Sequence, residues 1–262
     1  MTDSAPIPNT SASDFLDREL GELCRNQVRS DNQIFGIESA YLPNVILSTS
    51  PTVCLVSMEP SMGNVTVKQF EESVENGFRN FLKYEGDAVL HYCAYHYLCD
   101  RQFAYHITDI SKGAMKVKMA DCDREARYAS WMPILKREIE ELGEPIMIAI
   151  GNKASEALMH AGFQTAGRVR HFATRLDDWY RGYYLSYVRH TTQDLVSPFL
   201  DRWPGFVDKL MLQLPQHCLN ISYLDKLRSS VSDAGRGRFL YYMDEFSQMI
   251  VGSVVNADKI GG

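Results

Sequence analysis

Apolar positions follow two different periods along this chain. Short apolar runs at 53–56, 103–107 and 145–150 are bounded by turn residues and predict buried strands. The stretches 44–47 and 183–188 carry the same signal. Helical spacing fills the gaps. Ser11 or Ser13 predicts an N-cap for a helix to about Val28, with Phe15, Leu16, Leu20, Leu23 and Cys24 on one face. Residues 67–83 repeat Phe70, Val74, Phe78, Phe81 and Leu82 at helical intervals, and 87–99 is apolar nearly all round, as a buried helix would be. Trp131, Ile134, Leu135, Ile139 and Leu142 predict a long helix from Asp123, kinked or broken at Pro133. A helix over 153–161 follows Gly151-Asn152 directly.

Strands alternating with helices predict an α/β fold. It is expected to be a three-layer α/β/α sandwich on a central, mainly parallel sheet of four to five strands, plus C-terminal helices. Residues 1–10 read as a disordered arm, 11–213 as the α/β domain, and 214–262 as a helical appendage packed on the core. In that appendage Phe239, Leu240, Tyr242, Met243, Phe246 and Ile250 make one apolar helix face.

Composition narrows the class. The 262 residues carry a net charge of −6, which excludes a generally basic nucleic-acid binder. Locally the balance reverses. Arg168, Arg170, Arg175, Arg181 and Arg189 are opposed only by Asp177 and Asp178, and Lys112, Lys116 and Lys118 form a second cluster. Either is a solvated face or a rim that neutralises phosphates. The six cysteines form no CxxC pair, most sit in apolar surroundings, and they read as reduced thiols used as small hydrophobes. No apolar run reaches the ~18 residues of a membrane span, and the polar N-terminus lacks a signal-peptide core. A cytoplasmic monomer that avoids membranes is expected.

Candidate chemistry stands at strand ends, where open α/β sheets bind ligands. The run 53–56 stops at Ser57-Met58-Glu59-Pro60-Ser61-Met62-Gly63, so a carboxylate meets a tight turn. The run 103–107 ends in Thr108-Asp109, and 183–188 ends in Arg189-His190. Each has a bland reading: a turn acid, a helix cap, a structural imidazole. Together, a carboxylate and a histidine around one pocket suit hydrolysis.

These stretches resemble the motifs of the uracil-DNA glycosylase superfamily over about residues 43–212. Ser57-Met58-Glu59-Pro60-Ser61 is similar to its GMNPG-type turn, with Glu59 where the water-positioning Asp or Asn sits. Ile107-Thr108-Asp109-Ile110-Ser111-Lys112 resembles ITNVVK. The stretches 146–151 and 154–158 resemble the IVALG strand and its helix. Tyr187-Val188-Arg189-His190-Thr191-Thr192 stands at the HPS motif. The resemblance implies a DNA glycosylase without metal or cofactor. Glu59 and His190 would be catalytic. Met58, Ser61, Asp109 and a stacking aromatic, Phe70 or Phe78, would read the base. Ser57, Lys112, Arg189, Thr191, Thr192, Gln193 and Leu195 would contact phosphates or form the clamp. The partner would be single- or double-stranded DNA.

Departures from the motifs point to the substrate. Asp109 replaces the Asn that reads uracil. An Asp carboxylate accepts from the exocyclic amine of cytosine, and once protonated by burial it also donates to cytosine N3. Ser61 replaces a Tyr that blocks bulk at C5. The expectation is removal of a modified cytosine, such as glucosylated hydroxymethylcytosine of phage DNA, in an antiviral role. The alternatives are an ordinary repair glycosylase for uracil or hypoxanthine and an inactive relative that only binds. A small-molecule hydrolase or nucleotide-binding protein lacks support, since neither GxGxxG nor a GKS/T loop occurs.

Overall fold

A computed structural model describes residues 15–171, 185–218 and 221–260. Six strands and eight α-helices occur among them, in the order α1 (Leu20–Phe35), β1 (Ser39–Tyr41), β2 (Val53–Ser57), α2 (Val67–Glu75), α3 (Glu85–Cys93), β3 (Tyr105–Asp109), β4 (Gly113–Met115), α4 (Arg124–Glu141), β5 (Ile146–Ile150), α5 (Asn152–His160), β6 (Gly167–Val169), α6 (Leu185–Gln213), α7 (Ile221–Arg228) and α8 (Asp233–Ile260). The main sheet is parallel with order β3-β2-β5-β6, and β1 pairs antiparallel with β4 in a separate two-stranded ribbon.

Strand alternation sorts the core into two layers, because successive side chains point to opposite faces. Val53, Leu55, Ile107, Ile148, Ile150 and Val169 face α3, α6, α7 and α8. Cys54, Val56, Met147 and Ala149 face α4 and α5, against Tyr128, Leu135, Ile139, Ala154 and Leu158. The first layer is rich in aromatic rings, with Phe199 of α6 stacked on Phe239 of α8 at 4.0 Å and 5°. Such a pair contributes roughly 0.5–1.5 kcal/mol beyond the area it buries. Leu224 and Leu227 of α7 and Phe239, Tyr242 and Phe246 of α8 therefore help to cover one face of the sheet.

Several expected elements take another form. The stretch 44–47 is not a strand; Asn44 makes only an isolated bridge to Asn80. The helix expected over 67–83 ends at Glu75, because Asn76 leads into Gly77 at φ 98°, a left-handed conformation that side-chain-bearing residues avoid. The Lys112-Gly113 loop gives way to β4 at once. Pro133 lies inside α4, which is one unbroken helix through it. The C-terminal segment holds one short helix and one long one, not two short ones. The largest change concerns 183–188. Residues 183 and 184 lie outside the described set, and from Leu185 the chain is helical to Gln213. The fourth strand is instead Gly167–Val169. The arm 1–10 and the caps at Ser11 and Ser13 also lie outside the described residues.

Candidate functional site

Parallel pairing of β2 with β3 sets Ser57 level with Asp109, so the two acid-bearing loops leave the sheet side by side at its carboxyl edge. Backbone bonds then join the loops. Ile110 N–H donates to Ser57 O at 2.9 Å, Ser111 N–H to Met58 O at 3.0 Å, and Met62 N–H to Met115 O at 3.0 Å. Ser61 bridges Met115 as well.

The two carboxylates meet opposite environments. Glu59 is ion-paired: Arg124 donates to Oε1 at 2.8 Å, Tyr128 donates its hydroxyl to Oε2, and Arg127 lies 3.8 Å from Oε2. All three partners come from α4. Each carboxylate oxygen has two lone pairs, so these contacts leave acceptor capacity for a water. Asp109 is 2% exposed and receives a 2.5 Å hydrogen bond from Asn80 Nδ2 at its Oδ2. Burial pushes Asp109 up to about 8; Lys112 and Lys83 oppose that push and Glu59 and Glu138 add to it. Asn80 sits beside Phe81, which is buried at φ 61° and holds the turn in a conformation that costs on the order of 1–3 kcal/mol.

Behind Asp109 runs a buried polar chain. Lys112 Nζ donates to Asp109 O at 3.1 Å and to Glu138 Oε2 at 2.6 Å. His106 Nε2 lies 3.0 Å from Glu138 Oε1, and Thr108 donates to the same oxygen at 3.0 Å. Asn44 Nδ2 donates to Thr108 Oγ1 at 2.8 Å. Burial alone would raise Glu138, yet Lys112 and His106 hold it down to about 2. Lys83 closes the other side. Its ammonium donates to Ser61 O at 2.7 Å, and burial lowers its pKa against the pull of Asp87 and Asp109.

Several expected site residues stand elsewhere. Lys112 is 1% exposed and ion-paired with Glu138, so it is no phosphate contact; the short loop into β4 turns it inward. Ser57 is 1% exposed as the last residue of β2, which removes it from the rim too. Phe70 is 3% exposed and packs with Leu42 and Met62, its ring 6.0 Å from Phe78, so it is a core side chain and not a free stacking platform. Phe78 is half-buried with Lys83 Nζ 5.5 Å from its ring. Met58 and Ser61 stay half-buried at the edge. His190, with Arg189, Thr191, Thr192 and Gln193, falls in α6 and not at a strand end; their side chains lie outside what is described. Leu195 is exposed on the same helix, so a clamp loop is not the form this stretch takes. Arg168 and Arg170 are exposed at the end of β6, while Arg175, Arg181, Asp177 and Asp178 lie outside the described residues.

A different histidine reaches the carboxyl edge. Gly151 N–H donates to Val169 O at 2.7 Å, and a Cβ on Gly151 would lie 3.3 Å from His171 Cβ. Burial lowers His171 to about 4. Arg124 and Tyr128, which hold Glu59, also line a groove of about 970 Å³ between α4 and α5, with Lys153 and His160 on its far wall.

Sequence reasoning passed over Asn80, Lys83, Arg124, Tyr128, Glu138 and His171. Glu138 left a signal, since it shares the apolar stripe of Ile134, Ile139 and Leu142 where a charge is out of place. Lys83 and Asn80 left none. Among the described residues, no group of three or more His, Cys, Asp or Glu side chains is arranged to hold a metal ion. No described helix is long and apolar enough to cross a membrane. Comparison with protein-family models and with curated proteins gives no match.

Proposed function

We propose that the chain is a monofunctional DNA glycosylase of uracil-DNA glycosylase-like fold that hydrolyses the N-glycosidic bond of a flipped-out, modified cytosine. One observation carries this reading: two carboxylates on adjacent strand ends, one ion-paired with Arg124 and one buried against Asn80. Carboxylates held in such different surroundings divide between charged and neutral roles. The parallel sheet with both acids at its carboxyl edge supports the same reading.

The chemistry follows from those roles. The base leaves the duplex and enters the edge between the two loops. Glu59 orients a water and faces the cationic sugar. The N-glycosidic electron pair departs with the base, the water oxygen bonds to C1′, and the water's proton passes by way of Glu59 to solvent. Asn80 marks Oδ2 of Asp109 as an acceptor, so neutral Asp109 carries its proton on Oδ1. It donates that hydrogen to cytosine N3 and accepts from the exocyclic amine. Ser61 leaves room at C5. Arg168, Arg170 and Lys116 are the cations this reading assigns to phosphate contacts. A histidine beside the leaving base completes the set. His171 is the one placed near β5 and β6, and His190 remains the residue that the sequence resemblance names.

The test is direct. The protein is incubated with oligonucleotide duplexes carrying glucosylated hydroxymethylcytosine, cytosine or uracil, and abasic sites are cleaved with alkali and counted. Release from the modified cytosine alone supports the reading. Release from uracil alone supports the repair-glycosylase alternative and removes the modified-cytosine one. DNA binding with no release from any duplex supports a non-catalytic relative.

A further inference from the structure

The edge of the sheet opposite Glu59 and Asp109 concentrates local irregularities. Helix α3 runs on into a π-turn, Ala94–Leu98, a form common at functional positions. Asp100 and Arg101 follow at φ 43° and 63°, two side-chain-bearing residues in the left-handed region. The chain then enters β3, so this loop lies at the amino-terminal edge of the sheet. Arg101 N–H donates to Tyr95 O at 2.7 Å, which folds the loop back over the turn.

His96 sits at the centre in an aromatic cradle. Its ring lies 4.2 Å from Tyr92, 5.0 Å from Tyr95, and 6.4 Å from both Tyr97 and Phe206. Two exposed cations of α6 reach the same tyrosines. Lys209 Nζ donates to Tyr95 Oη at 3.2 Å, and Arg202 hydrogen-bonds Tyr92. Burial lowers His96 to about 4, and the charges of Arg101, Arg202 and Lys209 add to that. Among the described residues none of these three cations forms an ion pair with a carboxylate, although Asp100, Asp201 and Asp208 adjoin Arg101, Arg202 and Lys209 in sequence and Asp208 pairs with Arg228 instead.

We propose that His96, Arg101, Arg202 and Lys209 form a phosphate-binding site. Three cations that form no ion pair among the described residues supply the field, and the guanidinium forks and ammonium supply charge-assisted donors. Neutral His96 adds a ring N–H, and the half-buried rings lower the local dielectric. The phosphate comes free, as inorganic phosphate or a nucleotide, or from a nucleic-acid backbone.

Histidine-labelled protein followed by NMR tests the site without any activity readout, so its outcome is separable from that of the glycosylase reading. The His96 resonance is assigned with His96→Gln. Inorganic phosphate, a nucleoside monophosphate and a single-stranded oligonucleotide are then titrated separately. A bound anion offsets the three cations, so the His96 pKa rises by about one unit. Arg202→Gln/Lys209→Gln weakens the response roughly tenfold, while Lys136→Gln on α4 leaves it unchanged. A response to the free phosphates alone assigns a small ligand, and a response to the oligonucleotide assigns the backbone. Should the double variant misfold by circular dichroism, exposed Arg101→Gln replaces it. A His96 signal that ignores all three ligands overturns the proposal, as does a folded double variant that responds like the parent.

Discussion

The Asn80 amide donates to Asp109 Oδ2 across 29 residues of sequence, at 2.5 Å and in full burial. That contact fixes which oxygen of Asp109 accepts and which is free to carry a proton. Asp109→Asn exchanges the proton-bearing oxygen for an amide and restores the hydrogen-bond pattern that suits uracil. The expected outcome is a swing in preference from cytosine-type base to uracil by roughly 1–3 kcal/mol, about five- to 160-fold, read as the ratio of kcat/KM on the two duplexes. Asn80→Leu leaves Oδ2 without a donor and lowers kcat/KM on the cytosine-type base without creating uracil release.

Asp109 also predicts a pH dependence. Its folded pKa is raised, to about 8, so the folded state keeps a proton that the unfolded chain releases near pH 4. Between pH 5 and pH 7.5 the unfolded state binds fewer protons, and stability falls as pH rises, by about 1.4 kcal/mol per unit at most. Urea unfolding at pH 5 and pH 7.5 measures this slope. Asp109→Asn loses it, so the variant gains on the parent as pH rises.

Glu59→Gln keeps the shape and removes the charge opposite Arg124 and Arg127. Activity is expected to fall by about 10²–10⁴-fold with DNA affinity retained, because positioned proton-transfer groups contribute on that order. Equal loss of binding and activity would place Glu59 in folding instead. His171→Ala and His190→Ala, assayed side by side, decide which histidine faces the leaving base: the one whose loss lowers kcat more.

The Lys112–Glu138 pair is enclosed on all sides. Lys112→Met strands the Glu138 charge and is expected to cost about 3–5 kcal/mol in urea unfolding. Glu138 has a depressed pKa, so its contribution is present above pH ~4.5 and is lost as pH falls towards 2. Acid unfolding that begins in that window in the parent and is absent from Glu138→Gln/Lys112→Met checks the sign.

Pro133→Ala is expected to stabilise the protein. Pro133 is exposed inside α4 and cannot donate to the carbonyl four residues back. Restoring the donor in an exposed helix interior is worth up to about 3 kcal/mol.

What sequence reading captured, and what it missed, has a physical pattern. Apolar runs such as 53–56 and 147–150 are buried on both faces, and their continuity marks them as strands of a parallel sheet. The edge strand Gly167–Val169 has three residues and an exposed Arg168, too little signal for any period. The stretch 183–188 is apolar without a clear period, which helix and strand share; its described part is helical. Glu59 and Asp109 were legible because strand ends announce themselves by Pro, Thr and Asp. Their partners were not. Arg124 and Tyr128 stand more than sixty residues from Glu59, and Asn80 and Lys83 occupy a loop that helical spacing had assigned to the helix ending at Glu75.

The backbone bonds between the Ser57–Gly63 turn and the strand that follows Asp109 have a consequence for evolvability. Ser57, Met58 and Met115 offer main-chain carbonyls to the facing loop, so the spacing of the two acids is set by peptide groups that every residue possesses. Side chains at 58, 61 and 109 can therefore change without moving the frame that presents them. A site built this way can change the chemistry of its side chains by single substitutions while the backbone spacing of the two loops stays constant.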